Sequence, residues 1–147
     1  SGCVSRECSV CPLCIFLFSN SCSPILDTHT HTYNRYSNLV KLLGRATIGL
    51  HTMRDEHFGI VVVEMMASGA VPIAHDSAGP EMDIIGCFNP APGFLASNET
   101  EYADMLAHAL STDLKPIRRL GRERAKRFSQ EVFQERWWDS ISGVVLS

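Results

Sequence analysis

Two carboxylates eight positions apart, Glu56 and Glu64, bracket an apolar run, and His57-Phe58-Gly59 follows directly after the first. If a helix starts near Phe58, Glu56 occupies the loop at the positive end of the helix dipole and Glu64 lies about two turns along, roughly 12 Å away at ~1.5 Å rise per residue. Gly59 permits close approach of the backbone to a ligand, and the N–H groups of a first helical turn form an anion site. Such an edge offers two hydroxyl-accepting carboxylates with an anion-binding helix end between them. A nucleotide diphosphate sugar asks for that order: sugar hydroxyls, pyrophosphate, ribose hydroxyls. A bare pair of glutamates at this spacing is commonly two surface residues. The surrounding elements, which add a second glycine loop at Ser77-Ala78-Gly79-Pro80-Glu81, set this pair apart. His51, His57 and His75 lie near the motif or at strand ends. A structural role is expected of each, although His57 could hydrogen-bond a donor, because no carboxylate partner for general-base work is visible in the sequence.

The elements that must position these groups read as an alternating α/β chain. A short helix over Leu39–Leu43 leads into a buried strand, Ala46–His51, and Arg54-Asp55-Glu56 forms a polar loop. Ile60–Val63 is β-branched and favours strand on propensity, whereas Ala67-Ser68-Gly69 looks like a helix end with glycine as the stop. Helix is the reading adopted. Ala70–His75 is the next strand and Gly93–Ala96 a short strand or turn edge. Asn98 and Glu101 make a capping-box pair ahead of Tyr102, Met105, Leu106, Ala109 and Leu110, spaced for one helix face. A helix over Lys115–Phe128 and a last one after Ser129, carrying Val132, Phe133, Trp137 and Ile141, complete the chain. This grammar specifies a partial Rossmann-like parallel sheet with flanking helices and a C-terminal helical tail, with ligands at the C-terminal ends of the strands.

Length and composition bound the rest. The 147 residues suit about one domain; 45% apolar and 20% charged residues describe a globular chain, and a net charge of −3 disfavours a nucleic-acid partner. The longest apolar run at the N-terminus, Leu13–Phe18, is far short of the ~18 residues of a membrane span. Five of the six cysteines crowd the first 22 residues. Residues 1–35 therefore read as an irregular Cys/Ser-rich leader, disordered or mispredicted, and 36–147 as the ordered part. Cys8, Cys11 and Cys14, with His29 or His31, could share a zinc ion or an iron–sulfur cluster. The run lacks a second, separate C-x2-C pair and a fourth cysteine at iron–sulfur spacing, so no metal site is expected. Arg118, Arg119, Arg122, Arg124, Lys126 and Arg127 read as a solvated basic helix face, and Cys87 as a small buried hydrophobe.

At the glutamates the sequence resembles a known family. Glu56-His-Phe-Gly-Ile-Val-Val-Val-Glu64 is similar to the E-x7-E motif of retaining glycosyltransferases with the GT-B fold, family four and its relatives. The wider string Ala46-Thr-Ile-Gly-Leu-His-Thr-Met-Arg-Asp-Glu-His-Phe-Gly-Ile60 resembles them too. So do Ala74-His-Asp-Ser-Ala-Gly-Pro80, Asp83-Ile84 and Gly93-Phe-Leu-Ala96, over about residues 36–147. The nearest resemblance is to members that transfer mannose in α-1,2 linkage from GDP-mannose to dolichol-diphosphate-linked oligosaccharide at the cytosolic face of the endoplasmic reticulum membrane.

The resemblance implies a metal-independent reaction with retention of configuration and no cofactor. It gives Glu56 the catalytic role through the donor sugar hydroxyls, and Glu64 the ribose. His57, Ser77 and Gly79, with the backbone around Phe58, Gly59 and Ile60, would bind the rest of the donor. It also implies that the family's N-terminal Rossmann domain and its upstream basic residues for the diphosphate are missing from this chain, which should then be inactive alone. Another nucleotide-sugar transferase of the same fold and a catalytically silent truncated binding module are the competing expectations.

Overall fold

The computed structural model describes residues 15–18 and 36–145. A four-stranded sheet runs in the order β1 (Ile15–Phe18), β2 (Ile48–His51), β3 (Val71–His75), β4 (Phe94–Ala96). β2, β3 and β4 are mutually parallel, Ile48 facing Val71 and Ile73 facing Phe94, while β1 pairs antiparallel with β2. Around the sheet lie α1 (Tyr36–Arg45), α2 (Ile60–Ser68), α3 (Glu99–Ser111), α4 (Lys115–Ala125) and α5 (Gln130–Val145). The expected α/β architecture with a parallel sheet is present. Cys8, Cys11, Cys14, His29 and His31 lie outside the described residues. The stretch taken as an irregular leader nonetheless supplies β1.

β3 explains the two-sided core. All five of its residues are buried, and a strand turns alternate side chains to opposite faces. Val71 and Ile73 join Ile48, Ala96, Ala109 and Leu114 under α3, whereas Ala74 joins Val62, Val63, Met66 and Ile84 on the α2 side. Such continuous apolar strands belong to parallel sheets covered on both faces.

The contested segment Ile60–Val63 is helical. Its strand propensity yields because glycines delimit it at both ends. Gly59 at φ 92° and Gly69 at φ 89° hold left-handed backbone that side-chain-bearing residues rarely adopt. Burial of Val62, Val63, Met65 and Met66 then secures the helix against sheet and neighbouring helices. The helix starts at Ile60 rather than near Phe58. Glu64 accordingly stands about one turn into it, ~6 Å along the axis, instead of two turns.

Other differences have equally local causes. α1 extends beyond Leu39–Leu43 at both ends, and β2 starts at Ile48, after Ala46 and Thr47 have closed the turn from α1. The loop after Ser77 carries one wide turn, Pro80–Ile84, closed by the Ile85 N–H on the Pro80 carbonyl at 2.8 Å. α4 tightens into a single turn at Lys126–Phe128 instead of continuing to Phe128. Leu110 is 59% exposed, because at ~100° per residue it stands well off the stripe of Tyr102, Leu106 and Ala109. Cys87 is exposed rather than buried. It follows Gly86 in a turn and lies on no regular element.

The basic run is also not a free solvated face. Arg118 Nε donates to the Gly69 carbonyl at 2.6 Å, and Arg122 donates to Ser68. Both close the carbonyl end of α2, where cations are favoured. Arg124 and Arg127 stand over the Phe88 ring at 4.7 and 5.1 Å. Among the described residues no helix is long and apolar enough to cross a membrane.

Candidate functional site

The C-terminal ends of β2 and β3 deliver His51 and His75 to one edge of the sheet, each followed by a loop. Residues 52–59 carry Glu56, His57, Phe58 and Gly59; residues 76–79 carry Ser77 and Gly79. These are the two loops expected to share an edge, and they are joined by hydrogen bonds. Gly79 N–H donates to the Glu56 carbonyl at 2.9 Å, and Asp55 N–H donates to Ser77 Oγ at 2.9 Å. Ser77 Oγ also lies 2.9 Å from His75 Nδ1, with which it shares a proton. A side chain at Gly79 would place its Cβ 2.3 Å from the Phe58 carbonyl oxygen and 2.7 Å from that of His57. Only glycine lets the loops approach this closely. Asp55 and Ala78, one in each loop, have positive φ (54° and 46°), a strained backbone for non-glycine residues.

Glu56 is half-buried and approaches His51, whose Nε2 lies 4.0 Å from the carboxylate. His51 is 5% exposed. Its burial lowers the pKa below the ordinary 6.5, and the nearby Glu56 charge works against that shift. Among the described residues His51 Nδ1 is buried with no hydrogen-bond partner. Tyr102 on α3 donates its hydroxyl to the His51 carbonyl at 2.9 Å, and burial pushes the Tyr102 pKa up to about 12.

Glu64 lies on the same side of α2 as Ile60 and Ala67, away from the buried Val62, Val63 and Met66, and is itself half-buried. It stands about one turn into the helix, whose first residue, Ile60, follows Glu56 by four positions. The first turn of α2 has no side-chain cap at Gly59. The Val62 and Val63 amides bond the Gly59 carbonyl, and the amides ahead of them form the positive end of the helix, which attracts anions. Phe58 and Ile60 are exposed to 40% and 57%, and Phe58 meets Phe128 edge-on at 5.5 Å.

Of the residues singled out in the sequence, Glu56, His57, Phe58, Gly59, Ser77 and Gly79 come together in the two joined loops, and Ile60 with Glu64 follows on α2. The His51–Glu56 approach was missed. Its only signal in the sequence is a histidine ending a strand five positions ahead of the glutamate. Tyr102, found only as a helix-stripe residue, anchors the end of β2. Among the described residues no group of three or more His, Cys, Asp or Glu side chains is placed to hold a metal ion.

A family model described as glycosyl transferases group 1 matches residues 24–131, beginning upstream of the boundary read at 36. Curated relatives carry the name GDP-Man:Man(3)GlcNAc(2)-PP-Dol alpha-1,2-mannosyltransferase. The protein of Homo sapiens is 43% identical over 110 residues, which are 72% of this chain and 22% of the relative. That of Mus musculus is 48% identical over 103 residues, 67% of this chain and 21% of the relative. That of Candida albicans is 55% identical over 51 residues, 35% of this chain and 8% of the relative. The chain thus spans about a fifth of the length of the first two relatives.

Proposed function

The chain belongs to the group 1 glycosyl transferases, and from that membership we propose that it forms part of the donor site of an enzyme that moves mannose from GDP-mannose, in α-1,2 linkage, onto dolichol-diphosphate-linked oligosaccharide. What supports the reading is the union of two loops that brings Glu56 to the start of α2, in a chain whose relatives carry that activity in their names. Glu56 contacts hydroxyls of the transferring sugar, and Glu64 holds the ribose. The amides of Phe58, Gly59 and Ile60, with His57 beside them, meet the diphosphate and the hexose. Ser77 and Gly79 belong to the same site through the loop they fix. The glutamates position and stabilise charge rather than attack the sugar, and configuration is retained. Negative charge building on the leaving diphosphate is met by the helix start and by basic groups, so no metal ion is required. The reaction takes place at the cytosolic face of the endoplasmic reticulum membrane, and the acceptor site lies in polypeptide beyond this chain.

Calorimetric titration of the 147-residue chain tests this. Heat with GDP-mannose and none with UDP-glucose is expected, with no mannose transfer by the chain alone. Heat with UDP-glucose only would assign it to another nucleotide-sugar transferase of this fold. Silence with both would leave a binding module without donor chemistry, and transfer by the purified chain would overturn the role given to the missing polypeptide.

A further inference from the structure

We propose that His51 is the positioning residue for Glu56, holding its carboxylate toward the donor through Nε2–H. The proposal rests on the reading of Glu56 as a donor contact and adds a residue to it. Three observations carry it. His51 is fixed at the end of β2, 5% exposed, with its own carbonyl pinned by the Tyr102 hydroxyl. Its Nε2 is turned to Glu56 at 4.0 Å, a separation of the kind that tightens when a ligand closes a site. Its Nδ1 is buried without a partner among the described residues.

The last point sets the tautomer. A proton on Nδ1 would bury a donor facing no acceptor and turn the Nε2 lone pair onto a carboxylate. A proton on Nε2 faces the carboxylate that can accept it. Among the described residues the groups facing His51 are the Glu56 carboxylate from the β2–α2 loop and the Tyr102 hydroxyl from α3, which stays neutral. The ring therefore acts as a neutral donor that holds the Glu56 carboxylate toward the sugar hydroxyls.

Two substitutions separate positioning from packing. The glutamine amide nitrogen lies as many bonds from Cα as His Nε2, and the asparagine amide nitrogen as many as Nδ1. His51→Gln thus keeps a donor aimed at Glu56, and His51→Asn misplaces it. In GDP-mannose titrations of the 147-residue chain, H51Q should bind within about twofold of wild type, and H51N about tenfold more weakly, the loss of one hydrogen bond to a charged group. Nitrogen NMR of the free chain should show the His51 proton on Nε2, and Glu56→Gln should lower the His51 titration midpoint. Proton density on Nδ1, or an unmoved midpoint, overturns the pairing. H51N binding like wild type while Glu56→Ala loses the donor overturns the role of His51 and leaves the donor reading intact. A wild-type chain silent to GDP-mannose overturns the donor reading, and this proposal with it.

Discussion

Gly79→Ala tests whether the two loops form one rigid unit. The added methyl would lie 2.3 Å from the Phe58 carbonyl oxygen and 2.7 Å from that of His57. Both obstacles are main-chain atoms, so no side chain can swing aside and the loop must move. Forcing extra volume into a packed place costs about 1–3 kcal/mol. Moving the loop also stretches the 2.9 Å bond from Gly79 N–H to the Glu56 carbonyl, worth about 1 kcal/mol. The sum is about 2–4 kcal/mol, a fall in melting temperature on the order of 10 °C for a chain of this size. Gly44→Ala is the control, since nothing lies within 4 Å of a Cβ there. Relieving glycine inside α1 should stabilise by about 0.5–1 kcal/mol. Thermal unfolding by circular dichroism reads both. A Gly79→Ala chain melting within about 2 °C of wild type would show that the loops yield freely, and the reasoning that joins Ser77 and Gly79 to the Glu56 site would fail.

Asn98→Ala should cost about 1 kcal/mol by urea unfolding, because the Asn98 side chain accepts the Glu101 N–H at 3.1 Å at the start of α3. Arg118→Ala should cost about 1–3 kcal/mol by leaving the Gly69 carbonyl at the end of α2 without its donor, whereas Arg119→Ala, exposed, should stay within about 0.5 kcal/mol. Acidification should reveal two windows. His51 has a lowered pKa when folded, so the unfolded chain takes up its proton first and stability falls as pH drops below the ordinary 6.5. Glu101 and Glu131, both held low by hydrogen bonds, add a second loss as pH falls below 4.5. Stability measured against pH in wild type and His51→Gln should differ in the upper window alone; identical slopes there would contradict the burial argument.

What could be seen in the sequence follows from how far each signal reaches along the chain. The capping of α3 was legible because Asn98 and Glu101 are three apart, though the Glu101 carboxylate takes the Ser97 N–H and the Asn98 amide rather than the Asn98 backbone. β3 was legible as an unbroken apolar run. Ile60–Val63 was open on propensity and closed by flanking glycines whose left-handed backbone only the fold displays. The contacts of Arg118 and Arg122 with Gly69 and Ser68 span 49 and 54 positions, so a basic run looked like surface. The same holds for Tyr102 and His51, 51 positions apart. Within the site, the glutamates and glycine loops were visible as types and spacings. The histidine beside Glu56 was not, because its orientation depends on a turn between them.

The strain in the two loops bears on what this chain can do alone. Asp55 and Ala78 each hold a left-handed backbone that costs roughly 1 kcal/mol or more. Such residues persist only where their surroundings over-determine them. Here each sits beside a group that bonds across to the other loop: Asp55 N–H to Ser77, and Gly79 N–H, next to Ala78, to the Glu56 carbonyl. Each loop is therefore the brace that keeps the other strained, and the main chain at Glu56 is set before any ligand arrives. On the proposed reading of Glu56 as a donor contact, loops braced in this way need little further ordering to receive sugar hydroxyls. If Glu56 is the donor contact proposed, that contact should be measurable in this chain whether or not mannose transfer is.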